Sequence, residues 1–383
     1  MADILCLLLV ERIRFMDKYE ERINAEWEKY RADKGNMYPN IMLIGTSGAG
    51  KSSLINTVFG GNFASVSDVK PETEGYDTIY RGKDHGSTVN LIDTAGYELG
   101  QGNIYYNAIK EIISQGIDEG PIHIIWYCIP VTNERVQEMD FDILRKLMQE
   151  AKIRNRICVV FTKCDQDTEE GTKAKALKQA ISSNVKFPVK CFETSNVKDI
   201  ELDLPKLIEW SAEAIDDEDL RAKFIGAQMA DLEHKRSYAG KIITTATVAA
   251  GGVGAAPIPF SDAVLLVPIQ VGMISKIIDS YGVSSLANIS ASVVGDIIIT
   301  NLGKSIVAGL LKLVPGIGTA VGGMINAGVA SALTGAVGVT TSEICYNNVK
   351  RFLEGKPVDW SGMFESEEFS KRVTEAFKLK NKL

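Results

Sequence analysis

Histidine is scarce in this chain: only His85, His123 and His234 occur among 383 residues. So small a number argues against a histidine-built metal centre or a histidine-activated nucleophile. The six cysteines show no metal-binding spacing. Cys128, Cys158 and Cys191 sit inside apolar, strand-like runs, which suits reduced buried thiols in a cytosolic compartment better than a disulfide framework. Basic charge is not in excess either, since 42 lysines and arginines stand against 49 aspartates and glutamates, a net charge of −7. This balance argues against a large electrostatic footprint on nucleic acid. The small basic cluster Lys152, Arg154 and Arg156 reads as a solvated helix end before the strand-like run at 157. The apolar run Ile4 to Val10 has no basic flank or cleavage site and does not read as a signal peptide.

What is present is concentrated in residues 45–52, Gly-Thr-Ser-Gly-Ala-Gly-Lys-Ser, directly after the apolar run Ile41-Met42-Leu43-Ile44. A strand, a glycine-rich loop and a helix in this order hold nucleotide phosphates on backbone N–H groups at the helix N-terminus. Gly45, Ser47, Gly48, Ala49, Gly50 and Ser53 belong to this cradle. Lys51 is placed to reach the β- and γ-phosphates, and Ser52 offers its hydroxyl to Mg²⁺.

Three further motifs follow in order. Leu91-Ile92-Asp93-Thr94-Ala95-Gly96 is an apolar strand ending in DxxG; Asp93 would hold Mg²⁺ through water, and the Gly96 N–H would sense the γ-phosphate. The buried-strand run Ile157 to Phe161 ends in Thr162-Lys163-Cys164-Asp165. The Asp165 carboxylate can accept two hydrogen bonds from guanine N1 and N2, which adenine cannot supply, while Lys163 packs its alkyl stem along the base. Val189 to Phe192 then leads into Glu193-Thr194-Ser195-Asn196, where a backbone N–H, placed at Ser195, meets guanine O6.

The ordered set resembles the Ras-like G domain of the Era and translation-factor class of P-loop GTPases. The phrases GTSGAGKSSLINTVFG and Ile124 to Ile129 are most similar to septin-like, interferon-inducible immunity-related and YcjF-associated bacterial GTPases. Over about residues 38–215 the resemblance implies a mixed, mostly parallel α/β sheet with helices on both faces. It also implies GTP or GDP and Mg²⁺ as cofactors.

Two departures bear on mechanism. Tyr97 follows DxxG where Ras carries the glutamine that orients the attacking water. A phenol does not polarise water in that way, so unaided hydrolysis should be slow, with the missing group supplied by another loop or a second subunit. Gly48 stands where potassium-activated relatives carry asparagine, which puts potassium activation in doubt. Thr162 replaces the usual asparagine but keeps a hydroxyl to brace the P-loop. Switch I falls within Ser65 to Thr78, and Thr73, after Pro71, is favoured over Thr78 as the threonine that closes over Mg²⁺.

Outside this region the chain changes character. Ile13, Phe15, Met16, Tyr19, Ile23, Trp27 and Tyr30 recur at helical spacing within Glu11 to Lys34, an amphipathic helix. It either packs on the second domain or lies on a membrane surface. From Ala239 to Asn348 charge becomes rare, and Ile242 to Ser261 and Leu313 to Ser342 carry none. The second run is long enough to cross a bilayer. Scattered threonine, serine and asparagine and the Pro-Gly clusters weaken the membrane reading, while the Gly318 and Gly322 spacing permits close helix packing in a membrane and in a tight soluble bundle alike. The phrases Pro257 to Ala263, Ile269 to Met273 and Val314 to Ala320 resemble the YcjF-type helical domain, which implies helices, leaves membrane association open and implies no known chemistry. Asp262 reads as a helix cap.

The expectation is therefore an N-terminal helix over 1–37, a G domain over 38–215 and an all-α, Gly/Ala-rich domain over 216–383. Its function would be GTP binding and slow hydrolysis as a switch. The partners would be guanine nucleotide, a membrane surface and a second G domain, with nucleic acid disfavoured. Its place would be the cytoplasm or the inner face of a membrane. Rival readings are a soluble assembly GTPase of ribosomal type and a non-enzymatic GTP-binding scaffold that perturbs membranes.

Overall fold

The computed structural model describes residues 21–30, 32–33, 37–60, 77–94, 96, 102–118, 120–167, 171–197, 200, 202–253, 258–259, 265–286, 324–325, 327–360, 362–364 and 366–380. Thr73, Tyr97, the run Ile4 to Val10, Asp262, Gly318 and Gly322 lie outside them. Two compact units divide the chain, Met37–His234 and a second formed by Met1–Asn36 with Lys235–Leu383.

In the first unit, β1 (Asn40–Ile44) is buried along its whole length. Its unbroken apolar run suits a central parallel strand covered on both faces. There follow α1 (Lys51–Phe59), β2 (Asp77–Tyr80), β3 (Asn90–Thr94), α2 (Gly102–Gln115), β4 (Ile122–Pro130), α3 (Glu138–Gln149), β5 (Ile157–Thr162), α4 (Thr172–Asn184), β6 (Lys190–Glu193), α5 (Leu204–Glu213) and α6 (Glu218–Ala227). The strands form one sheet in the order β2-β3-β1-β4-β5-β6. All pair in parallel except β2, which runs antiparallel to β3. This is the mixed, mostly parallel sheet of a Ras-like G domain.

Alternation along the strands sorts the side chains into two layers. Met42, Ile44, Ile125, Tyr127, Ile129, Val159 and Phe161 join one apolar layer with Ile109 of α2, Leu144 of α3 and Leu177 of α4. Trp126 points the other way, stacks on Phe59 of α1 at 5.9 Å and donates to Ser211 Oγ of α5 at 3.0 Å. Cys128 and Cys158 are buried in these strands, and burial pushes the Cys128 thiol up to about 12, so neither is a reactive thiolate.

Arg154 and Arg156 are engaged beyond α3 rather than freely solvated. Arg154 Nε donates to Met148 O at 2.8 Å and the guanidinium lies over the Phe187 ring. Arg156 pairs with Asp216 at 3.2 Å. The G-domain unit also runs past residue 215. Lys223 of α6 donates to Met37 O at 2.6 Å, Thr88 donates to Lys223 O, and Phe224 meets the edge of Phe59.

His123, at the start of β4, accepts through Nδ1 from the Asn40 N–H at 3.0 Å. Burial, and then Arg156, hold its imidazole down at about 4, against a smaller opposing pull from Asp217. The unfolded chain therefore takes up a proton near pH 6.5, before the folded chain does. The contribution of His123 is complete above pH 6.5 and is lost as pH falls towards 4, by up to about 3 kcal/mol. Urea unfolding at pH 7 and pH 4.5 should show this loss in the wild type and a smaller one in His123→Gln; equal losses would contradict it.

In the second unit, residues 21–30 are helical, with Ile23 and Trp27 buried and Tyr30 donating to Asp279 Oδ2 at 2.7 Å. The helices α7 (Leu232–Val253), α8 (Val267–Tyr281), α9 (Val283–Leu286), α10 (Ala327–Leu353) and α11 (Ser366–Lys380) follow, with a short antiparallel pair, β7 (Ile258–Pro259) and β8 (Met324–Ile325). Helix α10 packs on α8 and α11. A Cβ at Gly338 of α10 would lie 2.8 Å from both Ile243 of α7 and Met273 of α8, so glycine there permits the close approach. Some hydroxyls inside the bundle are paired, as in Tyr281 Oη with Ser342 Oγ at 2.9 Å and Ser331 Oγ donating to the Thr247 backbone O at 3.0 Å, whereas Thr247 Oγ1 is buried with no hydrogen-bond partner among the described residues. Among the described residues no helix is long and apolar enough to cross a membrane.

Candidate functional site

Because β1, β3, β5 and β6 are parallel, their C-terminal ends share one edge of the sheet. All four motifs lie at that edge: the glycine-rich loop after β1, Asp93 and Gly96 at the end of β3, Thr162 to Asp165 after β5, and Ser195 after β6. Ligands of open α/β sheets bind at this edge, where strand order reverses, and here the reversal is at β1.

The loop itself is shaped by glycines with positive φ, 73° at Gly48 and 85° at Gly50. Gly50 precedes α1, and no side chain caps that helix N-terminus, leaving its first N–H groups to a ligand. Thr162 Oγ1 donates to Ala49 O at 2.5 Å, the brace expected from its hydroxyl. Ala49 is buried, Ser47 and Ser53 are exposed, and Ser53 lines the pocket beside the loop. Lys51 is only 7% exposed, and its Nζ donates to Gly45 O at 3.2 Å and Thr46 O at 3.3 Å. The loop carbonyls thus hold the ammonium within the loop.

Beside it, Ser52 Oγ donates to Asp93 Oδ2 at 2.6 Å. Asp93 Oδ1 is buried with no hydrogen-bond partner among the described residues. Burial raises the Asp93 carboxyl above its ordinary range, although Ser52 and then Lys51 pull it back. An orphaned carboxylate oxygen next to a hydroxyl is a hard oxygen donor set, which fits Mg²⁺. Gly96 lies so close to the loop that a Cβ there would overlap the Ser47 backbone nitrogen; only glycine allows that approach. Thr78, the alternative switch I residue, is a β2 residue paired with Asp93.

At the other end of the site, Lys163 adopts a left-handed φ of 59°, uncommon for a residue with a side chain and the kind of strain that gathers at functional sites. Ser195 Oγ donates to Asp165 Oδ1 at 2.7 Å and accepts from the Val197 N–H at 3.0 Å. The adjacent pocket is lined by Gly50, Thr162, Lys163, Ser195 and Asn196. Thus Asp165 is oriented by a fixed hydroxyl, which leaves Oδ2 to accept from a base edge. Every sequence-predicted site residue within the described set falls at this sheet edge.

Leu54, Thr57 and Gln166 also line the pocket. For Thr57 a signal existed, since Ser53 and Thr57 are four residues apart on α1 and so share one face. Nothing local marks Gln166.

Residues 40–163 match the sequence model of the family described as 50S ribosome-binding GTPase. Among curated proteins, the chain is 29% identical over 203 residues to GTPase Der of Halothermothrix orenii, covering 51% of this chain and 44% of that protein. It is 22% identical over 191 residues to Cell division control protein 10 of Candida albicans, covering 43% of this chain and 53% of that protein. The match thus spans about half the length of these relatives. Among solved structures, Toc33 from Arabidopsis thaliana in complex with GDP and Mg²⁺ aligns at 18% identity over 52% of this chain and 94% of that one, with a TM-score of 0.35.

Proposed function

We propose that this chain, which carries a P-loop GTPase domain, binds GTP and GDP with Mg²⁺ and hydrolyses GTP slowly to GDP and phosphate, as a nucleotide switch. One observation carries the reading: the Ser52–Asp93 pair beside Lys51 and the Ser195–Asp165 pair stand at the same sheet edge. The first suits a metal-bound polyphosphate and the second suits guanine.

The loop N–H groups and Lys51 hold the phosphates and stabilise charge that grows on the β–γ bridging oxygen as its bond to the γ-phosphorus breaks. A water molecule supplies the new P–O bond and gives up its proton, and GDP leaves with the electron pair. Catalysis of this kind is positioning and charge stabilisation. Mg²⁺, when bound, neutralises phosphate charge; Ser52 and Asp93 would hold it, with Thr73 closing from switch I. Gly96 couples the γ-phosphate to the chain that follows, and Lys163, Asp165 and Ser195 select the base. Tyr97 in place of glutamine supports a low intrinsic rate. A cytoplasmic setting suits the reduced thiols of the strands.

Phosphate release by the full chain, with GTP or ATP and Mg²⁺, tests the reading. Slow release from GTP alone is expected, and Ser52→Ala should reduce it at least about tenfold at low Mg²⁺ by removing a metal-facing hydroxyl. Equal release from ATP would contradict the base assignment. Tight GTP binding with no release would favour a non-enzymatic scaffold. Flotation with liposomes in GDP and in a non-hydrolysable GTP analogue tests membrane association of the second unit, and flotation in neither state would remove it.

A further inference from the structure

Tyr105 lies in the first turn of α2, 8% exposed, with its oxygen 2.8 Å from Thr94 Oγ1. Thr94 Oγ1 in turn donates to Leu43 O at 2.8 Å. A carbonyl only accepts, so the single proton of the threonine is committed to Leu43, and Tyr105 is the donor in the shared bond. The outcome is a directed relay, from the Tyr105 hydroxyl to the Thr94 hydroxyl to the Leu43 carbonyl, buried at all three residues. Leu43 stands two residues before the glycine-rich loop, and Thr94 stands between Asp93 and the Gly96 that presses on Ser47. One buried chain of hydrogen bonds therefore ties the first turn of α2 to both strands that feed the phosphate end of the site. Bonds linked in this way reinforce one another where water is excluded.

We propose that Tyr105 is a positioning residue, whose hydroxyl, acting through Thr94, fixes Asp93 and Gly96 against the P-loop and so sets the discrimination between GTP and GDP. The inference rests on the GTPase reading of the site, because Gly96 matters only if a γ-phosphate reaches it. Ile109, one turn further along α2, is buried in the apolar layer beneath the helix. Tyr105→Phe thus keeps the helix packed while taking the hydroxyl out of the relay.

The test uses the full chain and compares dissociation constants for GDP and for a non-hydrolysable GTP analogue, both with Mg²⁺. Tyr105→Phe should weaken the analogue about tenfold and leave GDP within about twofold, a change in ratio that a merely structural role would not produce. Thr94→Val should reproduce this ratio, and Thr94→Ser, which keeps the hydroxyl, should restore it. The double variant Tyr105→Phe/Thr94→Val should be no worse than Thr94→Val alone, since both act through one relay. An unchanged ratio in Tyr105→Phe, or equal weakening of both nucleotides, would overturn the inference while leaving the site intact. Failure of the wild-type chain to bind either nucleotide would overturn the GTPase reading and the inference with it.

Discussion

Lys51→Ala should lower affinity for both GTP and GDP by about a thousandfold, a loss of roughly 4 kcal/mol. The size follows from where the ammonium sits. It is nearly buried and held by the carbonyls of Gly45 and Thr46, so its charge faces the phosphates without bulk water to screen it. Truncating one partner of a buried, hydrogen-bonded charge pair costs about 2–5 kcal/mol, much of it from leaving the other charge unpaired. Here the unpaired charge would be on the phosphates. The loop backbone remains shaped by Gly48 and Gly50 and braced by Thr162 on Ala49, so the variant should fold. Titration with a fluorescent GDP, alongside a thermal melt, separates the two effects. Retained wild-type affinity in a folded variant would remove Lys51 from the site.

Asp165→Asn should invert base preference, from guanine to xanthine nucleotides. The two bases differ at position 2, where guanine donates from an amino group and xanthine accepts through a carbonyl. Asp165 as a carboxylate can only accept, so it matches guanine. Ser195 Oγ donates to Oδ1 of Asp165, and the same hydroxyl should hold the carboxamide oxygen of an asparagine. Its amino group would then face the base and present a donor to xanthine. A site built around a hydrogen bond rejects a ligand that leaves it unmade by up to about 10⁴-fold. Loss of about a hundredfold for GTP, with XTP becoming the tighter ligand, is the expected result. Unchanged selectivity would mean that the base lies elsewhere.

Legibility of the molecule in its sequence follows the range of the interactions. The glycine-rich loop was legible because its geometry is set by contiguous residues: glycines where φ is positive, then a helix. The DxxG and TKCD motifs were legible because each follows an apolar strand, and parallel pairing brings strand ends together. The Thr162 brace was legible from one hydroxyl in a known place. Non-local features were not. Helix α6 lies beyond the expected G-domain limit at 215, yet its Lys223 is buried and donates to Met37 O, 186 positions away in the chain, and that contact draws the helix into the G-domain unit. The Tyr105–Thr94 bond likewise depends on how α2 lies across β3, which no local pattern encodes. The threonines and serines of the Gly/Ala-rich region look like interruptions of an apolar run. In the fold some bond across helices, as Ser331 Oγ does to the Thr247 backbone carbonyl.

Occupation of the edge where β1, β3, β5 and β6 end by one guanine nucleotide underlies the nucleotide predictions above. It is tested most directly by equilibrium competition on the full chain, with GTP, GDP and ATP each displacing a fluorescent GDP in the presence of Mg²⁺. Displacement by GTP and GDP at concentrations at least about a hundredfold below those needed for ATP is the expected result. Equal displacement by ATP, or no saturable binding of the fluorescent GDP, would contradict it.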